Sequence, residues 1–323
     1  MIVLERVMPS KLRLLEVVLR RLAESDIDYP KYQEMFFKIR KGYIGETRSD
    51  REWKEISIPV EHYLFFNYET VNKFGNSNQI DTLLICRNFI LILEVKNITG
   101  RIDFDEVNRQ FINSKSDDKV EVYSNPEDQV ERHIRTIREK VQAVNIRLPI
   151  VAAIIFSNTS TIIGRMPKRI PAFHLSGLHS FVTSLFNKYS SPSITSEEMG
   201  KLKDYLLDHL IRERWKPSIN TKRIITGALC DRCKSQSCMV YSNGRFICSN
   251  CKAKSKDVLL ESLHDYRLLY NPWISNHEFK KFFSISSTKT SYKLLKSLHL
   301  FSKGNTRSKI YYIPEDILDY KMG

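Results

Sequence analysis

The sequence predicts an α/β protein of several modules: a core whose central strands are covered by helices on both faces, then a small cysteine-rich module and a basic helical end. Three observations carry that expectation. Residues 79–96, QIDTLLICRNFILILEVK, hold two apolar runs around Arg87-Asn88. Five of the six cysteines fall between positions 230 and 251. From residue 221 onward there are 18 Lys and Arg against 8 Asp and Glu, which is +10 of the chain's net +14.

The elements follow in order. The first 25 residues carry charges every few positions and lack an apolar stretch with a cleavage site. They read as an amphipathic helix rather than a secretion signal, and residues 1–37 form this N-terminal segment. Ile80–Ile85 and Phe89–Val95 then flank Arg87-Asn88, a two-residue hairpin loop. That loop sets Cys86 opposite Phe89, Asp81 opposite Glu94 and Gln79 opposite Lys96. Opposed residues point to the same side of a sheet, so these four polar residues share one corner of one face. The remainder of both strands is apolar on both sides, as central strands are when helices cover each face.

Asn125 caps the next helix, with Pro126 at its first position. Val130, Ile134, Ile137, Val141 and Val144 form its apolar stripe. Leu148–Phe156 is a last buried strand. Residues 161–175 form short edge strands, because Pro167 and Pro171 do not suit a central position. Leu178–Asn187 and Glu197–Arg214 are helices, and Lys216–Lys222 is the linker.

A charged cluster at the end of buried strands is costly unless a metal, hydrogen bonds or counter-charge satisfies it. Two carboxylates within reach of each other bind a hard divalent cation through oxygen. Such a cation polarises a phosphoryl oxygen and acidifies water, while a lysine steadies developing charge. The same Asp-Glu-Lys trio can also finish a strand pair as a purely structural ion pair, and the hairpin alone does not separate the two readings. Gly42 and Gly45 let a strand approach the preceding helix and bring Glu46 to the cluster; Glu46 could equally face solvent. Gln129 sits in the first turn of its helix, facing either the cluster or water.

Four motifs stand in sequence: G-x-x-G-E at Gly42–Glu46, Q-I-D at Gln79–Asp81, E-V-K at Glu94–Lys96 and N-P-x-x-Q at Asn125–Gln129. Together they resemble the nuclease-related domain family, NERD, which is similar to PD-(D/E)xK nucleases of restriction-endonuclease fold. The resemblance covers roughly residues 38–157. It implies an α/β/α core with a mixed central sheet and a domain over residues 38–215. It also implies Mg²⁺ or Mn²⁺ held by Asp81, Glu94 and the Val95 backbone, with Lys96 catalytic, Glu46 assisting from the first helix and Gln129 supporting the site. Thr82 follows Asp81 where many relatives carry histidine.

Cys230-x2-Cys233 and Cys248-x2-Cys251, fourteen residues apart, form a four-thiolate Zn²⁺ pattern. A hairpin on Asn243-Gly244 lies between the pairs. Residues 222–256 thus resemble a zinc ribbon, in which structural metal replaces a core too small to fold alone. Cys238 is left over as a loop thiol and Cys86 is a core residue. Asp257–Leu269, Asn276–Phe283 and Ser287–Leu298 read as helices and Phe301–Ile313 as a hairpin. That order makes residues 257–323 similar to a winged-helix domain. Lys289, Tyr292, Lys293 and Lys296 of its third helix suit phosphates and base edges, although Tyr292 and Leu295 are also candidates for the core.

No P-loop, G-x-S-x-G or dinucleotide fingerprint appears, and no apolar run is long enough to span a membrane. His62, His133, His174 and His179 show no ligand spacing. The expectation is a cytoplasmic, divalent-metal-dependent nuclease acting on nucleic acid, DNA in preference to RNA, with its own DNA-holding tail. A catalytically inactive nuclease-like binding protein and a transcription-type regulator are the alternatives. Self-association or a protein partner through the C-terminal domain stays open.

Overall fold

A computed structural model describes residues 1–115, 119–212, 215, 219–233, 238–305 and 308–320. The chain divides into two compact units, one of residues 1–9 and 38–214, the other of residues 10–37 and 215–323. In chain order, β1 (Ile2–Leu4), α1 (Ser10–Arg21) and α2 (Tyr29–Glu52) precede β2 (His62–Val71), β3 (Ser77–Cys86) and β4 (Ile90–Lys96). Then come β5 (Gly100–Asp105), β6 (Gln110–Ser114), β7 (Val120–Ser124) and α3 (Pro126–Ala143). β8 (Ile150–Phe156), β9 (Thr161–Ile163), β10 (Ala172–His174), α4 (Leu178–Lys188) and α5 (Ser196–Asp208) follow.

The first unit is an α/β/α sandwich on a mixed six-stranded sheet of order β1-β2-β3-β4-β8-β10. Strands β2, β3 and β4 pair antiparallel; β1 joins β2, and β8 joins β4 and β10, in parallel. Both faces are buried because β3 and β4 are apolar on both sides. Leu83, Ile85, Ile90 and Ile92 pack toward α3 and α5, with Val130, Ile137, Met199 and Leu202. Leu84, Leu91 and Leu93 pack toward Trp53 and toward Leu178, Val182 and Leu185 of α4. A second sheet, β7-β6-β5-β9, adds Ile102, Phe104 and Phe111 to the first of these cores. Strands β9 and β10 take the edge positions that their flanking prolines suggest.

Two expectations need correction here. The opening residues are not all helix: Ile2–Leu4 form β1 against β2, with Ile2 opposite Leu64, and the helix starts only after Pro9. The helix beginning near Glu197 stops at Asp208, and Ile211 N–H instead bonds the Glu69 carbonyl at 2.9 Å. Residues 213–214 and 216–218, the end of that expected helix and the first three residues of the expected linker, lie outside the described residues.

The second unit gathers α1 with the C-terminal modules. Helix α1 buries Leu12, Leu14, Leu15, Val17 and Val18. Arg21 is buried with it; its Nε donates to Asp265 at 2.5 Å and its Nη1 to the Ile225 and Gly227 carbonyls. Arg20 also pairs with Asp265. Residues 10–37 therefore group with the tail rather than standing as a separate N-terminal segment.

A four-stranded sheet, β11 (Ala228–Leu229), β12 (Cys238–Ser242), β13 (Arg245–Cys248) and β14 (Lys254–Ser255), carries the cysteines. Asn243 and Gly244 take positive φ at its hairpin, as the Asn-Gly pair requires. Then follow α6 (Val258–Leu269), β15 (Trp273–Ser275), α7 (Asn276–Phe282), α8 (Thr288–Ser297), β16 (Ser302–Lys303) and β17 (Ile310–Tyr312). The helices match the expected spans. The short strand β15, which pairs with β17, is an addition.

Candidate active site

β3 and β4 separate where the charged cluster begins. Their ladder runs from Ile85 opposite Ile90 to Thr82 opposite Leu93. Beyond it, β3 pairs only with β2, while Glu94, Val95 and Lys96 pair only with β8. The same register, continued, places Asp81 opposite Glu94, as the two-residue loop predicts. Asp81 closes the opening through its side chain: Oδ2 accepts the Val95 N–H at 2.8 Å. By strand alternation Asp81, Glu94 and Lys96 share the face that packs toward α3. Gln79, expected beside them, is exposed and sits opposite Glu69 of β2.

Helix α3 supplies the next contacts. Asn125 accepts the Glu127 N–H at 2.9 Å as the cap, and Pro126 begins the helix. One turn of α3 then faces the strand ends. Lys96 Nζ donates to Glu94 Oε1 at 2.6 Å and to Gln129 Oε1 at 3.0 Å. Gln129 thus points at the cluster rather than at water. His133, four residues further and on the same helix face, places Nε2 3.2 Å from Glu94 Oε2 and Nδ1 2.6 Å from Asn78 Oδ1. In the sequence His133 shows no ligand spacing and carries no functional reading; its contact with Glu94 makes it part of the cluster, and its four-residue spacing from Gln129 was the available signal.

Glu46 arrives on α2. A Cβ on Gly45 would lie 2.5 Å from Asn97 Cβ and 2.6 Å from Ser157 Oγ, so only glycine lets the ends of β4 and β8 approach this closely. Gly42 has no such need: its nearest neighbour would be Glu46 Oε1 at 3.7 Å. Glu46 does not bond Lys96. Its Oε2 accepts from Arg6 Nη1 at 2.5 Å. Arg6 also donates to Asp50 at 2.6 and 3.1 Å and to the Asp81 carbonyl at 2.7 Å. Its side chain is only 3% exposed. Arg6 and Asp50 are site residues that sequence reading missed: no spacing rule links position 6 to positions 46–81, whereas Asp50 lies four residues beyond Glu46 on the same helix, which was its available signal.

Electrostatics separates the two central acids. Burial, then the charges of Glu94 and Glu46, push the Asp81 carboxyl well above the usual range. Burial pushes Glu94 upward too, but Lys96 and His133 outweigh it and hold that carboxyl below its usual value. Burial works against the Lys96 ammonium, yet Glu94, Asp81 and Glu46 raise it above its ordinary value. Burial also raises Glu46 and Asp50, with Arg6 opposing the shift in each case. Four carboxylates thus face two permanent cations, Arg6 and Lys96. The donor set suits a hard divalent ion: it is all oxygen, it has excess negative charge, and Asp81 Oδ1 has no hydrogen bond from the described residues.

A different donor set lies in the second unit. The Sγ atoms of Cys230, Cys233, Cys248 and Cys251 all lie within 4.8 Å of one another. Cys230–Cys251 and Cys233–Cys248 are 3.6 and 3.5 Å apart. Backbone N–H groups of Cys251 and Asn250 draw the Cys248 thiol down to about 6. Four soft ligands converging on one point can bind a single ion such as zinc, with no position left open for chemistry. Cys238 lies outside the tetrad, exposed at the start of β12 rather than in a loop. Cys86 is buried in the core.

On α8, Lys289, Tyr292, Lys293 and Lys296 are all exposed, while Ser291, Leu294 and Leu295 are buried. The ambiguity between surface and core resolves residue by residue: Tyr292 is 43% exposed and Leu295 is fully buried. Among the described residues no helix is long and apolar enough to cross a membrane.

Residues 41–157 match the model of the nuclease-related domain, NERD. The match contains Glu46, Asp81, Glu94, Lys96 and Gln129, as well as His133, and covers just over a third of the chain. Arg6 and the whole second unit lie outside it. No curated protein and no solved structure matches the chain. A nuclease-related function is therefore the coarse assignment, and it implies contact with nucleic acid.

Proposed function

We propose that the NERD-containing unit is a divalent-metal-dependent nuclease that hydrolyses phosphodiester bonds, with DNA as the favoured substrate. The carrying observation is the convergence of Asp81, Glu94, Lys96 and Gln129 at the point where β3 and β4 separate. Asp81, Glu94 and the Val95 carbonyl would hold Mg²⁺ or Mn²⁺. The ion supplies Lewis acidity toward the phosphate and acidifies water. Lys96, positioned by Glu94 and Gln129, places a cation beside the reacting phosphate. Glu46 adds negative charge from α2, and Arg6 holds it in place. The cysteine tetrad is a structural zinc site, and the winged-helix arrangement of α6–α8 with β15–β17 presents Lys289, Tyr292, Lys293 and Lys296 to phosphates.

A second reading, a nuclease-like scaffold without turnover, draws on the engagement of both Glu94 oxygens by Lys96 and His133. One panel separates the two: single-stranded, duplex and branched DNA and RNA with Mg²⁺ or Mn²⁺, using wild type, Glu94→Ala and Lys96→Ala. Cleavage lost in Glu94→Ala, with a slower rate but retained metal affinity in Lys96→Ala, supports the nuclease. Activity surviving Glu94→Ala refutes this site, and no cleavage of any substrate favours the scaffold.

A further inference from the structure

The outer face of the small sheet in the second unit carries an aromatic row that phosphate contact by α8 does not use. In this sheet, of order β15-β17-β16, Trp273 stands opposite Tyr312 and Ser302 opposite Tyr311. Ile274 and Tyr311 turn inward and are buried. By alternation, Trp273 and Tyr312 stand on the other face. Phe301 continues the row, because Tyr312 N–H bonds the Phe301 carbonyl at 2.8 Å in the same register. Ring centroids are 5.1 Å apart for Trp273–Tyr312 and 6.1 Å for Trp273–Phe301. Trp273 of β15, Tyr312 of β17 and Phe301, the residue just before β16, thus line up across the sheet.

This row is not core. Phe301 is 69% exposed, whereas Trp273 and Tyr312 are partly so. Isolated exposed apolar residues are ordinary, but three adjoining rings are not. The row is also edged with positive charge. Lys303 Nζ sits 4.2 Å above the Trp273 ring, and no ion pair joins it to an acid among the described residues. Arg267 lies 5.4 Å from the Tyr312 ring and is tied to Glu315. The segment 301–309, FSKGNTRSK, has three basic residues and no acid.

We propose that this face binds unpaired nucleobases of single-stranded nucleic acid, by stacking them on Phe301, Tyr312 and Trp273 while Lys303 meets the backbone. Aromatic rings accept any base through its π-face, and a neighbouring cation draws in the phosphates. Paired bases hide those faces, so the platform selects strands, ends or unpaired segments over intact duplex. A partner protein's apolar surface fits less well, because the row is bordered by lysine in a region of net charge +10. The proposal goes beyond the nuclease reading and does not require turnover.

The test uses the full chain without added divalent cation. Oligothymidylate should quench Trp273 emission, a signal lost in Trp273→Phe; the chain's other two tryptophans, Trp53 and Trp215, lie outside the row. Phe301→Ala, at an exposed position that cannot disturb the core, should weaken oligothymidylate binding roughly tenfold while leaving duplex affinity unchanged. Trp273→Leu should do the same. Equal losses on duplex and single strand overturn the proposal, as does unchanged oligothymidylate affinity in both variants. In the latter case the row is a protein-docking face.

Discussion

Removing the charge of either central acid should change the heat stability of the first unit in opposite directions while abolishing its response to a divalent ion in both variants. Asp81 is 6% exposed, and its carboxyl is held high by burial and by Glu94 and Glu46. A carboxyl whose folded value is raised contributes stability below the ordinary carboxylate range and loses it as pH rises through the folded value. At neutral pH the buried Asp81 carboxyl is therefore a cost. Asp81→Asn keeps an oxygen for Val95 N–H and removes that cost, about 1–3 kcal/mol for a buried group left without compensation. At about 2–4 °C per kcal/mol, the metal-free melting temperature should rise by about 2–12 °C.

Glu94 has the opposite sign. Its folded value is lowered, so its contribution is present above the ordinary range and lost as pH falls through the folded value. Glu94→Gln leaves Lys96 without its carboxylate and should lower the melting temperature by a comparable amount. In wild type, Mg²⁺ at about a hundred times its dissociation constant adds about 2.7 kcal/mol, about 5–11 °C. Both variants should lose that increment. Differential scanning calorimetry at neutral pH, with and without Mg²⁺, measures all three effects. Shifts of the same sign in the two variants, or a retained Mg²⁺ increment in either, would refute the electrostatic assignment.

Two further outcomes concern the second unit. Zinc should be present at close to one ion per chain by elemental analysis, and Cys248→Ser should abolish it and destabilise this unit; protein prepared without chelators and free of zinc would sink the assignment. Affinity for nucleic acid should fall steeply with salt, and Lys289→Ala, Lys293→Ala and Lys296→Ala together should flatten the slope by up to about three, one for each lost phosphate contact. An unchanged slope would remove α8 from the interface.

What the sequence made legible was local. The loop Arg87-Asn88 and the apolar runs around it determine a register to the residue, since a slip of one would move the residues of one strand to the opposite face of the sheet and part Asp81 from Glu94. The cysteine spacing and the Asn125-Pro126 cap are equally local, and each places its residues as expected. Glu46 and Gln129 were ambiguous because a helix-surface residue takes its meaning from what packs against it; α3 settles Gln129 by facing Lys96. Strand β15, three residues long, carries no periodicity to detect and exists because β17 lies beside it.

The misses share a physical cause: each depends on contacts between distant segments of the chain. Residues 1–9 and 10–37 part company because Ile2–Leu4 find an open edge of β2, whereas Arg21 finds Asp265, 244 positions away. Arg6 follows from the first of these. Once β1 is paired, the chain just beyond it carries a guanidinium to Glu46, Asp50 and the Asp81 carbonyl at once. The family match begins at residue 41 and omits this arginine. Without it, Glu46, Asp81 and Glu94 would crowd a buried corner with Lys96 as the cation left among them, and Asp50 would lose its hydrogen-bonded partner. The electrostatic boundary of the site is therefore wider than its sequence motif. An account of the cluster that stops at the matched residues leaves out the cation that makes Glu46 and Asp50 tolerable there.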